Sequence, residues 1–217
     1  MIVDIAAGAP PGVPACVPNA ERGAPRPAEW SAAQSLITSR RNVSPRRLAK
    51  PAPSSEQLHA LLALAAAAPD HGQLTPWRFV VVPLDKRTLL AEAFALALID
   101  RDPGATLAQI EAARDKAYRA PLLVLAIAAL SGGSEEITAN ERLVSLGAAI
   151  QNVLIGVQAL GFGAGLTSGR SITSDRVRLL FAVGCGEEPV CFISIGTAAR
   201  LREPRERPPV HGFVTQL

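Results

Sequence analysis

The sequence holds little cysteine: Cys16, Cys185 and Cys191 are the only three in 217 residues. An odd number excludes a fully paired disulfide framework, and a reducing, cytoplasmic setting is the expectation. Cys185 and Cys191 lack zinc-knuckle spacing and have no neighbouring histidine, so both read as small core residues. Aromatic residues are also scarce, at 4% against 48% hydrophobic overall. The core must therefore be built from Ala, Leu, Val and Ile in close-packed helices, and it can be sizeable. Charge is sparse and scattered. The net charge is +3 and the pI is near 9.1, with local basic clusters only at Arg40 to Lys50 and Arg200 to Arg207. No long basic stripe of the kind a nucleic-acid binder shows is present, while small anionic ligands remain open. There is no Ser-His-Asp order, no metal-ligating cluster and no internal repeat.

Two segments invite a membrane reading and resist it. Met1 to Ala15 has no basic start, carries Asp4 and is broken by Pro10, Pro11 and Pro14, so it is not expected to be a leader. Leu143 to Gly161 is apolar and about a membrane width long, but contains Ser145, Gln151, Asn152 and Gln158 without flanking aromatic anchors. A buried helix of a soluble domain is expected there.

The length suits one domain. Residues 1–27, rich in Pro, Gly and Ala, read as a disordered extension before a domain spanning 28–217. A helix is predicted from Ala28 to Arg41, closed by Asn42-Val43-Ser44-Pro45. The next begins at Ser54-Ser55-Glu56-Gln57 with a capping box and ends at Pro69. His59 on it reads as an exposed or satisfied histidine. Trp77 to Val82, Pro121 to Ala128 and Val190 to Ile195 are apolar runs expected as strands covered on both faces. Helices are expected over Asp85 to Ile99, Leu107 to Tyr118, Glu135 to Leu160, and after a Thr173-Ser174-Asp175 cap. From Leu143 the long helix is apolar on nearly every face, which one small domain cannot cover, so a second copy is expected on it. Gly161-Phe162-Gly163-Ala164-Gly165 breaks that helix. It lacks dinucleotide-fingerprint spacing, and its small residues permit close approach to a flat ligand. The Arg- and Pro-rich tail from Ala198 should run extended over the surface.

The richest stretch is Ala68-Pro69-Asp70-His71-Gly72-Gln73-Leu74-Thr75-Pro76-Trp77-Arg78-Phe79. It places a histidine and a glutamine on a tight turn between helix and strand, a suitable place for the polar edge of a planar ligand. Upstream, Arg40 and Arg41 close a helix and offer two guanidinium forks for a phosphate, with Asn42 as an added donor. Gly163 to Gly169 offers backbone N–H groups and a stacking surface.

Arg40-Arg41-Asn42, Ala68-Pro69-Asp70-His71, Pro76-Trp77-Arg78-Phe79, Arg119-Ala120-Pro121, Gly147 to Asn152, Gly161-Phe162-Gly163 with Ser168-Gly169, and Gly196-Thr197 together resemble the nitroreductase family, nearest its short YdjA-type branch. The resemblance runs from about Ser35 to the C-terminus in the family's order. It implies an α+β fold, a central mixed β-sheet surrounded by helices, and a homodimer with FMN at the subunit interface. NAD(P)H would reduce the FMN, and nitroaromatics, quinones or similar acceptors would then be reduced in a ping-pong cycle. By the same resemblance Arg40, Arg41 and Asn42 would hold the ribityl phosphate, His71 would meet the cofactor, and Leu166, Thr167 and Ser168 would lie beside it; Gln73 is a candidate for the ring's polar edge from its place on the turn. Asn42 stands where the family usually has Ser, Ala67 where the branch tends to carry an Arg, and Leu166-Thr167 where it has Trp-Arg. Arg170 or Arg202 could replace the missing cations. A flavin-binding or sensing protein without efficient turnover is the alternative reading. Reductive dehalogenation or flavin destruction ranks lower, because Leu130 to Ala139 is too short for a lid insertion.

Overall fold

The computed structural model describes residues 26–200 and 206–217, so Cys16, Arg202 and residues 1–25 of the expected extension lie outside the described residues. Contacts divide the chain into units 1–35 and 36–217. The described part of the first belongs to helix α1 (Pro27–Ser39), with proline in its first position, where no backbone N–H is needed. The second carries β1 (Leu48–Ala49), α2 (Ser55–Ala65), β2 (Trp77–Val81), α3 (Arg87–Arg101), α4 (Leu107–Arg114), β3 (Leu122–Ala129), α5 (Ala139–Ala159), β4 (Gly163–Thr167), α6 (Asp175–Leu180) and β5 (Glu187–Ala198).

Strand β5 is the hub: it pairs antiparallel with β1, β3 and β4, and β3 pairs antiparallel with β2. The fold is α+β, as expected. The mixed character of the sheet shrinks to one parallel bridge, Asn42 with Ala164. Strand β3 explains the layering, because successive side chains point to opposite faces. Leu122, Val124, Ala126 and Ala128 enter a core with α2 and α5, while Leu123, Leu125 and Ile127 enter a second core with α3 and α6. Strand β2 serves both cores, through Trp77 and Phe79 on one side and Val80 on the other. It is nonetheless an edge strand and only half-buried, since none of the described residues pairs beyond it.

Three helices start on capping boxes: Ser54 with Gln57, Thr106 with Gln109, and Thr138 with Glu141. The last moves the start of α5 from the expected Glu135 to Ala139. Half of the most apolar window of α5 is buried inside the domain, while Leu143 and Val144 stay exposed. The run Gly163–Thr167, expected only as a break, is strand β4. Cys191 is buried, and burial pushes its thiol up to about 11, but Cys185 lies exposed on the turn before β5 and is no core residue. His59 is exposed.

Arg78 and Glu187 clasp β2 to the start of β5. Arg78 Nε donates to Glu187 Oε1 at 2.7 Å and Nη2 to Oε2 at 2.8 Å. Arg78 also donates to the carbonyls of Phe181 and Ala182, and the Gly184 N–H donates to Glu187. The Arg78 hydrogen bond holds the Glu187 carboxyl down at about 2, against an ordinary 4.5. A carboxyl depressed in the folded state stabilises above its unfolded pKa, and that contribution fades as pH falls toward the folded value. The parent protein is therefore expected to lose urea stability between pH 4.5 and about 2 more steeply than Glu187→Gln. Parallel pH profiles for the two proteins would refute this.

Candidate functional site

The Arg40-Arg41-Asn42 segment lies against β4. Val43 N–H donates to the Ala164 carbonyl at 2.8 Å, and Asn42 Oδ1 accepts from the Leu166 N–H at 3.4 Å. The glycines of β4 make this approach possible: a Cβ on Gly165 would sit 2.1 Å from the Val43 carbonyl oxygen. Close approach was expected at this run, but the near neighbour is the chain's own backbone. Arg41 turns back on the C-terminus of α1, where Nη1 donates to the carbonyls of Ser39 at 2.7 Å and Thr38 at 3.2 Å. Its Nε and Nη2 bond to no described residue. Beside Asn42, Val43 and Ser44 lies a hollow of about 80 Å³ that Arg47 and Arg200 also line. Backbone amides, an asparagine and guanidinium groups are the donor set a phosphate monoester needs. Leu166, Thr167 and Ser168 stand exposed at the end of β4 next to it. Arg47 and Arg200 fall in the two basic clusters of the sequence, which was the signal for them.

The turn with His71 and Gln73 is a short 3-10 helix under strain. Gly72 has φ +69°, and Gln73 and Thr75 have φ +53° and +45°, a region that side chains other than glycine enter at a cost of about 1–2 kcal/mol. Asp70 holds the turn by accepting the Thr75 N–H at 2.6 Å, while its other oxygen, Oδ1, is buried without a partner among the described residues. His71 Nδ1 lies 3.1 Å from Glu141 Oε1 in the first turn of α5. The capping bonds from Thr138 and then the His71 contact hold the Glu141 carboxyl below its usual range. Strain held by its surroundings concentrates at functional sites.

Within one chain these two groups do not meet. His71 is tied to Glu141 at the start of α5, whereas Gln158 near its end donates to the Leu36 carbonyl and to Ser39 Oγ, just before Arg40. Glu141 and Gln158 are seventeen residues apart on one helix, so the groups sit roughly 25 Å apart at 1.5 Å per residue. Arg40, Arg41, Asn42 and Leu166 to Ser168 form one cluster; His71 and Gln73 form another.

Next to the first cluster opens a larger cavity of about 330 Å³. Arg101, Lys116, Arg119 and Arg170 ring it, Phe94, Leu123, Ile172 and Phe192 give an apolar floor, and Thr167 and Gly169 form one edge. Burial, then the charges of Arg119 and Arg101, pull the Lys116 ammonium below its usual range. Burial, then Arg46, does the same to Arg119, with Asp115 opposing. Arg170 is the replacement cation expected from the sequence, whereas Arg101 and Lys116 belong to no motif there.

A family model described as the nitroreductase family matches residues 37–197. The chain belongs to the nitroreductase family. Among its relatives in that family, a Haemophilus influenzae protein named "Putative NAD(P)H nitroreductase" is 30% identical over 173 residues, covering 79% of this chain and 91% of the relative. The Escherichia coli K12 protein named "Putative NAD(P)H nitroreductase YdjA" is 34% identical over 167 residues, covering 75% and 86%. The solved nitroreductase-like family protein from Bacillus cereus superposes with a TM-score of 0.74 at 20% identity, over 85% of this chain and 95% of that one. The FMN-dependent nitroreductase NfnB from Mycobacterium smegmatis, solved with NADPH, superposes with a TM-score of 0.67 at 19% identity, over 87% and 99%. These two likenesses place the nitroreductase fold.

Proposed function

We propose that this chain is a homodimeric oxidoreductase that holds FMN between two copies and passes electrons from NAD(P)H to nitroaromatic, quinone or similar acceptors. One observation carries the reading: complementary half-sites lie at opposite ends of α5, a helix whose exposed Leu143 and Val144 are left for a second copy. Two copies packed along α5 in opposite directions would bring Arg41 of one to His71 of the partner subunit. The relatives' names and the coverage of most of their length support it.

In this arrangement Arg40, Arg41 and Asn42, joined by Arg47 and Arg200, hold the phosphate. Leu166, Thr167 and Ser168 lie along the ring, and His71 and Gln73 of the partner subunit reach its polar edge. Bound FMN would supply the two-electron chemistry, with reductant and acceptor entering in turn. The protein's part is to position, to exclude water and to tune the ring through these donors.

The purified protein is expected to be yellow, to bleach with NAD(P)H under argon, and to scatter light as a dimer at micromolar concentration. Colourless protein that takes up no added FMN would overturn the reading. Arg41→Ala is expected to weaken FMN binding by about 1.5–3 kcal/mol in a flavin-fluorescence titration, as for a lost charge-assisted hydrogen bond. Unchanged affinity would remove Arg41 from the site. Ala67 and Leu166-Thr167, which lack the branch's cations, favour the second reading, a flavin-binding protein without efficient turnover. Slow bleaching in stopped flow would select it.

A further inference from the structure

We propose that the cavity ringed by Arg101, Lys116, Arg119 and Arg170 is an oxyanion subsite that selects a carboxylate-bearing aromatic as electron acceptor, its ring over the apolar floor and its free edge toward Thr167 and Gly169. The proposal rests on the oxidoreductase reading for the word acceptor, and on the cavity alone for the binding.

The four cations come from places far apart in the chain: the end of α3, the turn after α4, and the loop after β4. The side chain of none of them hydrogen-bonds or ion-pairs with another described residue. Six other arginines of the domain are engaged, whereas Arg46 and Arg47 likewise bond to no described residue through their side chains. Arg78, Arg114 and Arg176 hold carboxylates, while Arg87, Arg142 and Arg178 hold backbone carbonyls. Among the described residues, no carboxylate lines the cavity. Like charges gathered around one half-enclosed space repel, and Lys116, lowered by burial and then by Arg119 and Arg101, registers that repulsion. An entering anion would relieve it.

The cavity also says what kind of anion. Its floor of Phe94, Leu123, Ile172 and Phe192 is apolar, so a bare inorganic ion would leave most of the surface unmatched. A flat ring carrying a carboxylate matches both floor and rim. The flavin phosphate would have its own donor set at Asn42, Ser44, Arg47 and Arg200, which line a separate hollow. Thr167 links the two places, since it lines the cavity and ends the strand expected beside the flavin. The reaction served there would be reduction of a nitro carboxylate: one NAD(P)H and one proton convert the nitro group to nitroso and water, and NAD(P)H becomes NAD(P)⁺.

The test is isothermal titration of the purified dimer, with flavin absorbance followed in the same sample, using benzoate and its neutral analogue benzamide. Benzoate is expected to bind about tenfold more tightly than benzamide, and the preference should shrink in high salt, as for charge pairing. Arg170→Gln, on an exposed loop, and Arg119→Gln are each expected to cut benzoate affinity about threefold or more while leaving benzamide alone. The kcat/KM ratio of 4-nitrobenzoate to 4-nitrobenzamide should fall with it. Equal binding of benzoate and benzamide would overturn the subsite. So would release of flavin by benzoate, or loss of flavin in Arg170→Gln, either of which would assign these cations to the cofactor. A protein that never bleaches with NAD(P)H defeats the oxidoreductase reading but leaves the benzoate comparison readable.

Discussion

Gly165→Ala is expected to lower stability by about 2–3 kcal/mol and FMN affinity at least about tenfold, because the strand it sits on has no room for a methyl group. The added Cβ would stand 2.1 Å from the carbonyl oxygen of Val43 and 3.4 Å from Asn42 Oδ1. Backbone cannot swing aside as a side chain does. Either β4 leaves β5, or the Arg40-to-Val43 segment leaves β4. Both outcomes separate the proposed phosphate-binding residues from Leu166 and Thr167. Urea denaturation at fixed protomer concentration, with flavin titration on the same samples, would read both effects. A variant as stable and as well loaded as the parent would show that the segment moves without cost.

Arg87→Met is expected to cost more, about 3–4 kcal/mol, although it replaces a charge with an apolar side chain of similar length. Arg87 is fully buried at the start of α3. Its Nε donates to the Val82 carbonyl at 2.9 Å, and its Nη1 to those of Ala117 at 2.5 Å and Ala120 at 3.3 Å, while Nη2 has no partner among the described residues. Burial pulls this guanidinium below its ordinary pKa, which marks a charge held at a price. Without it, buried carbonyls lose their donor, and each costs about 1–3 kcal/mol. Two of those carbonyls belong to the turn that carries Lys116 and Arg119, so the cavity should loosen along with the fold. Chemical denaturation measures the first effect and benzoate affinity the second. A variant within 0.5 kcal/mol of the parent, about the range of an ordinary surface change, would show that water replaces the guanidinium.

Much of this architecture was readable from local chemistry. The Ser54 and Gln57 box sits where the sequence placed it, and the Ser174 cap of α6 was equally plain. The Thr138 and Glu141 box was also written in the sequence, but the helical pattern beginning at Glu135 hid it. Strand β4 was not readable. Gly163, Ala164 and Gly165 have poor strand propensity, and only pairing with β5 on one edge and contact with Asn42 and Val43 on the other make them a strand. The sequence motifs named Arg41 and His71 as partners, yet no local rule could show that a helix keeps them apart within one chain. The cation cavity was hidden for the same reason, because Arg101, Lys116, Arg119 and Arg170 share no motif and meet only when α3, the turn after α4 and the β4 loop are folded together.

The length of α5 has a genetic consequence. In the proposed dimer each active centre borrows one end of that rod from either polypeptide, so a chain crippled at Arg41 still carries a sound His71 turn, and a chain crippled at His71 still carries sound arginines. Coexpressed, two such dead alleles would complement: each mixed pair assembles one centre from the two healthy halves and one from the two broken ones, whereas neither allele alone yields a working molecule.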